Sequence, residues 1–214
     1  MAPEKTEGIL TLARISCCIA VRNNAKLREE YQLALQNGMQ PSVLREAVLQ
    51  SYLFAGYAAA INAFITLNEV LPSEPESEFF QETPSSVEGW RERGEDLCRT
   101  IYGSQYEKLV DNMQQLHPDL ADWMIWEGYG KVLARPFLSP LVRELLIVAM
   151  TAALQTDRQF YSHVRGALHV GAEAEVLRAV LAETKSFMDQ TQFQKYESIL
   201  DELITGKMPE KIVD

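Results

Sequence analysis

The segment from Leu145 to Leu154 constrains this chain most: ten residues with no charge and a single hydroxyl, that of Thr151. Ser139 as N-cap and Pro140 in the first turn mark a helix start, and Gln155-Thr156-Asp157 marks its end. A helix that is apolar on every side has to be covered all round, by other helices of the chain or by copies of it. A second helix follows from Arg158 toward Gly171, so the two form an αα-hairpin. Glu144 falls near the start of the first helix and His163 in the middle of the second. The hairpin lets them approach each other. A carboxylate facing an imidazole beside an apolar helix is the one place in this sequence suited to acid–base chemistry.

The rest of the chain also reads as helix. Gly8 to Val21 is apolar, and Lys26 to Gln36 makes a second helix, stopped at Asn37-Gly38 where glycine takes a left-handed C-terminal position. Pro41 opens a third that continues through Gly56 to about Leu71, with Gly56 and its neighbouring alanines giving a slim face for close approach. Val87 to Ile101, Tyr106 to Leu116, Glu173 to Thr184 and Phe187 to Ile204 are further helices. Pro118 to Tyr129 carries Trp123 and Trp126 on one face, read as core. Residues 72–86 gather three prolines among glutamates and serines and read as a solvated linker. Nothing alternates with period two for long enough to make a sheet. The expected fold is all-α, with a diverged helical unit at 1–71, the acidic linker at 72–86, and a second helical unit at 87–214.

An internal echo runs through this pattern. An offset of 133 positions places Gly38 on Gly171, Ala34-Leu35 on Ala167-Leu168, and Val43-Leu44-Arg45 on Val176-Leu177-Arg178. Glu144 falls on Thr11 and His163 on Glu30, so only the second copy carries the pair. The expectation is two pseudo-repeated helical units packed together.

Charge bounds the partners. With 20 basic and 30 acidic residues the formal net charge is −10. That argues against non-specific nucleic-acid binding and against an anionic membrane surface. No run of 18 apolar residues exists, and Ile9 to Val21 carries Arg14, so it reads as a core helix. The three cysteines, Cys17, Cys18 and Cys98, contain no Cys-x-x-Cys and suit a reducing, cytoplasmic compartment. Cys17 and Cys18 read as core fillers. His117 before Pro118 reads as a loop or N-cap residue, and His169 as a surface one. Three histidines without i, i+4 spacing argue against a zinc site.

From Gly89 to Leu181 the sequence resembles γ-carboxymuconolactone decarboxylase and its relatives. The matching pieces are Arg93-Gly94-Glu95, Tyr102-Gly103, Arg135-Pro136, Arg143-Glu144-Leu145 and His163-Val164-Arg165-Gly166-Ala167-Leu168 with Gly171. The superfamily includes alkylhydroperoxidase-D-like proteins, which combine a Glu, a Cys-x-x-Cys and a His. Here the cysteine positions hold Thr156 and Gln159, so thiol peroxidase chemistry by that route is excluded.

The resemblance implies a cofactor-free lyase that removes CO₂ from a small carboxylated lactone or ring compound. His163 would donate or shuttle the proton, and Glu144 would orient it. Arg143 and Arg135 are the candidate clamps for the anionic substrate. The resemblance also implies self-association, as a trimer or hexamer. The alternative is a non-catalytic member of the same fold, a small-ligand binder or assembly module in which the Glu–His pair only fixes two helices.

Overall fold

The computed structural model describes residues 6–71 and 86–206. The expected linker at 72–86 therefore lies, up to residue 85, outside the described residues. Among the described residues every regular element is a helix, as the patterning required. The chain divides into two compact units, Met1–Ser73 with Leu141–Asp214, and Glu74–Pro140.

The first unit holds α1 (Thr6–Ala20), α2 (Asn24–Gln36), α3 (Pro41–Ala55), α4 (Tyr57–Val70), α8 (Pro140–Ala153), α9 (Asp157–His169), α10 (Ala174–Glu183) and α11 (Gln190–Thr205). Helix starts follow local chemistry. The Asn23 side chain accepts from the Lys26 N–H, Pro41 occupies the first turn of α3, and the Asp189 carboxylate accepts from the Gln192 N–H. From Val142 to Ala153 every residue of α8 is buried within the single chain. Its all-round apolar surface is thus satisfied internally and supplies no reason for ring assembly.

The expected helix through Gly56 is in fact two. Gly56 has φ +85 and separates α3 from α4, and nothing lies within 4 Å of a Cβ built there. Its role is the turn, which a left-handed φ reserves for glycine, and not close approach. The slim face belongs instead to Ala59, Ala60 and Ala63 of α4, all buried, with the Tyr31 hydroxyl donating to the Ala63 carbonyl.

Element bounds recur at the offset of 133 positions that takes Asn24 to Asp157. Helix α9 starts and ends where α2 does, and the starts of α10 and α11 match those of α3 and α4. The turns recur as well. Arg22 (φ 59) and Gln155 (φ 56) share the left-handed region, as do Gly38 (φ 78) and Gly171 (φ 97).

The second unit contains α5 (Val87–Tyr102), α6 (Tyr106–Leu116), α7 (Pro118–Trp123) and a π-helical segment (Met124–Leu133). Two glycines let α5 and the π segment touch backbone to backbone. A Cβ at Gly94 would lie 2.1 Å from the Ile125 carbonyl oxygen, and one at Gly130 would lie 1.8 Å from that of Trp90. Arg93 completes the seam by donating through Nε and Nη2 to the Gly130 carbonyl at 3.0 and 2.5 Å. This seam ties α5 to the π segment within the second unit. The tryptophans also separate: Trp126 stacks on Trp90 at 6.1 Å, whereas Trp123 is 52% exposed and not core. His117 caps α7, its Nδ1 accepting from the Asp119 N–H.

Candidate functional site

The reversal between α8 and α9 brings the acid–base pair together. After Ala153 the chain turns through Gln155 in the left-handed region, and the Thr156 N–H donates to the Thr151 carbonyl at 3.0 Å. Helix α9 then runs back along α8. His163 Nδ1 and Glu144 Oε2 lie 2.8 Å apart, with the residues 7% and 1% exposed. An ionised carboxylate only accepts, so Nδ1 carries the hydrogen and Nε2 is the nitrogen left for proton transfer. Nε2 has no hydrogen-bond partner among the described residues. The Phe54 ring, on α3, packs T-shaped with the imidazole at 5.4 Å between centroids.

Arg143 is turned elsewhere. It is 1% exposed, and its guanidinium donates to Glu46 at 3.0 Å and to the Gln50 Oε1 at 3.1 Å. One step of about 100° along a helix separates it from Glu144, which sends the two side chains to different neighbours. Its fork is committed to groups of α3 rather than offered to a substrate carboxylate. Arg135 belongs to the second unit, where it lies over the Phe137 ring at 5.7 Å. Burial, and then the Arg135 charge, hold the Arg93 guanidinium below its usual pKa. Within the first unit the structure joins Glu144 to His163 and turns Arg143 toward Glu46 and Gln50.

Sequence reasoning missed Glu46, Gln50 and Phe54, which present themselves at four-residue spacing on one face of α3. Glu46 and Gln50 are 5% and 0% exposed. Glu46 and Gln50, one turn apart in the same helix as the apolar Val43, Ala47 and Val48, were the available signal, since such groups are buried only with partners.

In the first half, Arg14 of α1 donates through Nε to Glu30 at 2.9 Å, through Nη1 to Glu183 at 3.1 Å, and through Nη2 to the Thr11 hydroxyl at 3.0 Å. Burial opposes the Arg14 charge, but the bonds from Glu30 and Glu183 outweigh it and raise the pKa. Cys17, Cys18 and Cys98 are free and buried. Burial pushes the Cys18 thiol up to about 12 and the Cys17 thiol further still, the opposite of a reactive thiol's setting. Among the described residues no three His, Cys, Asp or Glu side chains gather as metal ligands, and no helix is long and apolar enough to cross a membrane.

Residues 118–193 match the carboxymuconolactone decarboxylase family, a stretch that contains α8, α9 and both members of the pair. Two curated proteins are similar over longer stretches. Peroxisomal protein 2 of Schizosaccharomyces pombe is 29% identical over 62% of this chain and 62% of its own length. Peroxisomal protein 2 of Saccharomyces cerevisiae is 25% identical over 64% of this chain and 57% of its own. The chain thus spans less than two thirds of the length of either relative.

Proposed function

We propose that this chain, a member of the carboxymuconolactone decarboxylase superfamily through residues 118–193, is a lyase acting on a small carboxylated lactone or ring compound. The observation that carries the reading is the 2.8 Å contact between Glu144 and His163 Nδ1, which leaves Nε2 to face a guest. In the step, the bond from the ring to the carboxylate breaks, CO₂ leaves, and the electron pair passes into the conjugated carbonyl of the lactone. The substrate supplies its own electron sink, so the reaction requires no cofactor. His163, as imidazolium, gives the proton on Nε2 to the carbanionic carbon and recovers one from solvent. Glu144 holds the ring in place by accepting from Nδ1. Arg143 keeps α3 and α8 in register through Glu46 and Gln50 and has no direct substrate role.

The test is CO₂ release from a carboxylated unsaturated lactone. His163→Ala is expected to lower turnover about 10²- to 10⁴-fold, the usual worth of a positioned acid–base group. Unchanged turnover would end the proposal. A second reading, a binding or assembly protein with a structural pair, is favoured by the burial of both side chains; it predicts no turnover and a loss of stability in the same variant. Self-association as a trimer or hexamer belongs to the proposal and is read by sedimentation. The names of the two relatives put the peroxisome beside the cytoplasm as the compartment to examine, by imaging a tagged chain.

A further inference from the structure

Gln50 is fully buried, and its Oε1 accepts from Arg143 Nη1 at 3.1 Å. A guanidinium only donates, so that bond fixes the orientation of the amide, with Nε2 on the far side from Arg143. Nε2 is buried and has no hydrogen-bond partner among the described residues. An unmade bond of this kind costs folding free energy, and in a native protein it calls for an explanation such as a bound water or a ligand. One helical turn further along α3 is Phe54, whose ring packs on His163. The orphaned donor thus belongs to the α3 face that addresses the acid–base pair.

The recurrence at 133 positions says what fits between them. His163 corresponds to Glu30, Gln50 to Glu183, Glu144 to Thr11, and Ile147 to Arg14. In the first half a single planar guanidinium bridges Glu30 and Glu183 and reaches Thr11. In the second half the bridging position holds Ile147, which has no polar head, and the flanking acceptors are replaced by an imidazole and an amide donor. Two carboxylates surround a planar cation in one half, and an imidazole and an amide take their places in the other.

We infer that Gln50 Nε2 and His163 Nε2 together hold the planar carboxylate or carbonyl oxygens of the substrate, making Gln50 a substrate-binding residue. This rests on the catalytic reading of His163 given above. It names what the arginines do not supply, a donor in contact with the guest. A neutral amide suits a group that must lose its negative charge as CO₂, because it orients the carboxylate without holding it as tightly as a guanidinium would.

The test uses 2-furoate, a planar carboxylated five-membered ring that does not react, with ¹⁵N-histidine-labelled full-length protein. Furoate is expected to shift the His163 Nε2 resonance saturably, while furfuryl alcohol, lacking the carboxylate, does not. Gln50→Met, close in shape but without the donor, is expected to weaken binding roughly 10- to 100-fold, the worth of a hydrogen bond to a charged group. Gln50→Glu, which sets a carboxylate against a carboxylate, is expected to abolish it. Melting curves establish that both variants fold, and Gln50→Asn serves if either does not, with the same weakening expected. Equal affinity in wild type and Gln50→Met, or no response of His163 in wild type, overturns the inference. Loss of turnover in His163→Ala with furoate affinity independent of Gln50 removes this inference alone; full turnover in His163→Ala removes the catalytic reading on which it rests.

Discussion

Replacing Glu46 by alanine should destabilise this protein more than any surface change. Arg143 is among the largest fully buried side chains, and the Glu46 carboxylate bonds to it at 3.0 Å with both residues almost inaccessible to solvent. The pair itself is no great source of stability, because taking both ions out of water cancels much of their attraction. Removing one partner is different, since it leaves an arginine charge in a low-dielectric interior, a loss of about 3–5 kcal/mol. That is a large share of the roughly 5–15 kcal/mol that holds a domain folded. At about 2–4 °C per kcal/mol for a chain of this size, the melting temperature should fall by roughly 6–20 °C. The double replacement Arg143→Met with Glu46→Leu removes both charges and should recover most of the loss. Calorimetry together with far-UV circular dichroism reads both. A Glu46→Ala protein that melts within a degree or two of wild type would refute the burial argument and return Arg143 to the role of substrate clamp.

Three further outcomes are expected. Gly130→Ala forces a Cβ to within 1.8 Å of the Trp90 carbonyl oxygen, so α5 and the π segment must part; a loss of about 1–3 kcal/mol or more, with altered fluorescence from the Trp90–Trp126 stack, would show it. Iodoacetamide should leave Cys17, Cys18 and Cys98 unlabelled in the native protein and label them in urea, because all three are buried. Rapid native labelling would contradict that. Burial pushes the Asp157 carboxyl up, but bonds from Lys195 and Tyr196 outweigh it and leave the folded-state pKa lowered. A lowered carboxylate stabilises the fold above its unfolded-state pKa and loses that contribution as pH falls through the folded value. Asp157→Asn should therefore be less stable than wild type at neutral pH and converge with it in acid; parallel pH profiles would disprove the linkage.

What could be read from the chain beforehand was what lies in local order. Pro41 and Pro140 start helices by chemistry within one turn, and the apolar run 145–154 could only be a covered helix. The meeting of Glu144 and His163 was legible because a short hairpin joins their helices. What lay beyond reach depended on partners distant in sequence. Arg143 looked like a substrate clamp because nothing near it announces that Glu46 and Gln50, far upstream, would take its fork. Gly56 looked like a packing glycine because a left-handed turn and a close approach call for the same residue. The backbone seam that Gly94 and Gly130 permit between α5 and the π segment leaves no periodic trace at all.

The account turns on which nitrogen of His163 is held and which is open. The ¹⁵N spectrum of the native protein, with His163 assigned by its absence in His163→Ala, reports this directly. In the neutral ring the account predicts a protonated Nδ1 bonded to Glu144 and a pyridine-like Nε2, with that preference lost in Glu144→Gln. A neutral ring protonated at Nε2, unchanged when Glu144 is replaced, would contradict it.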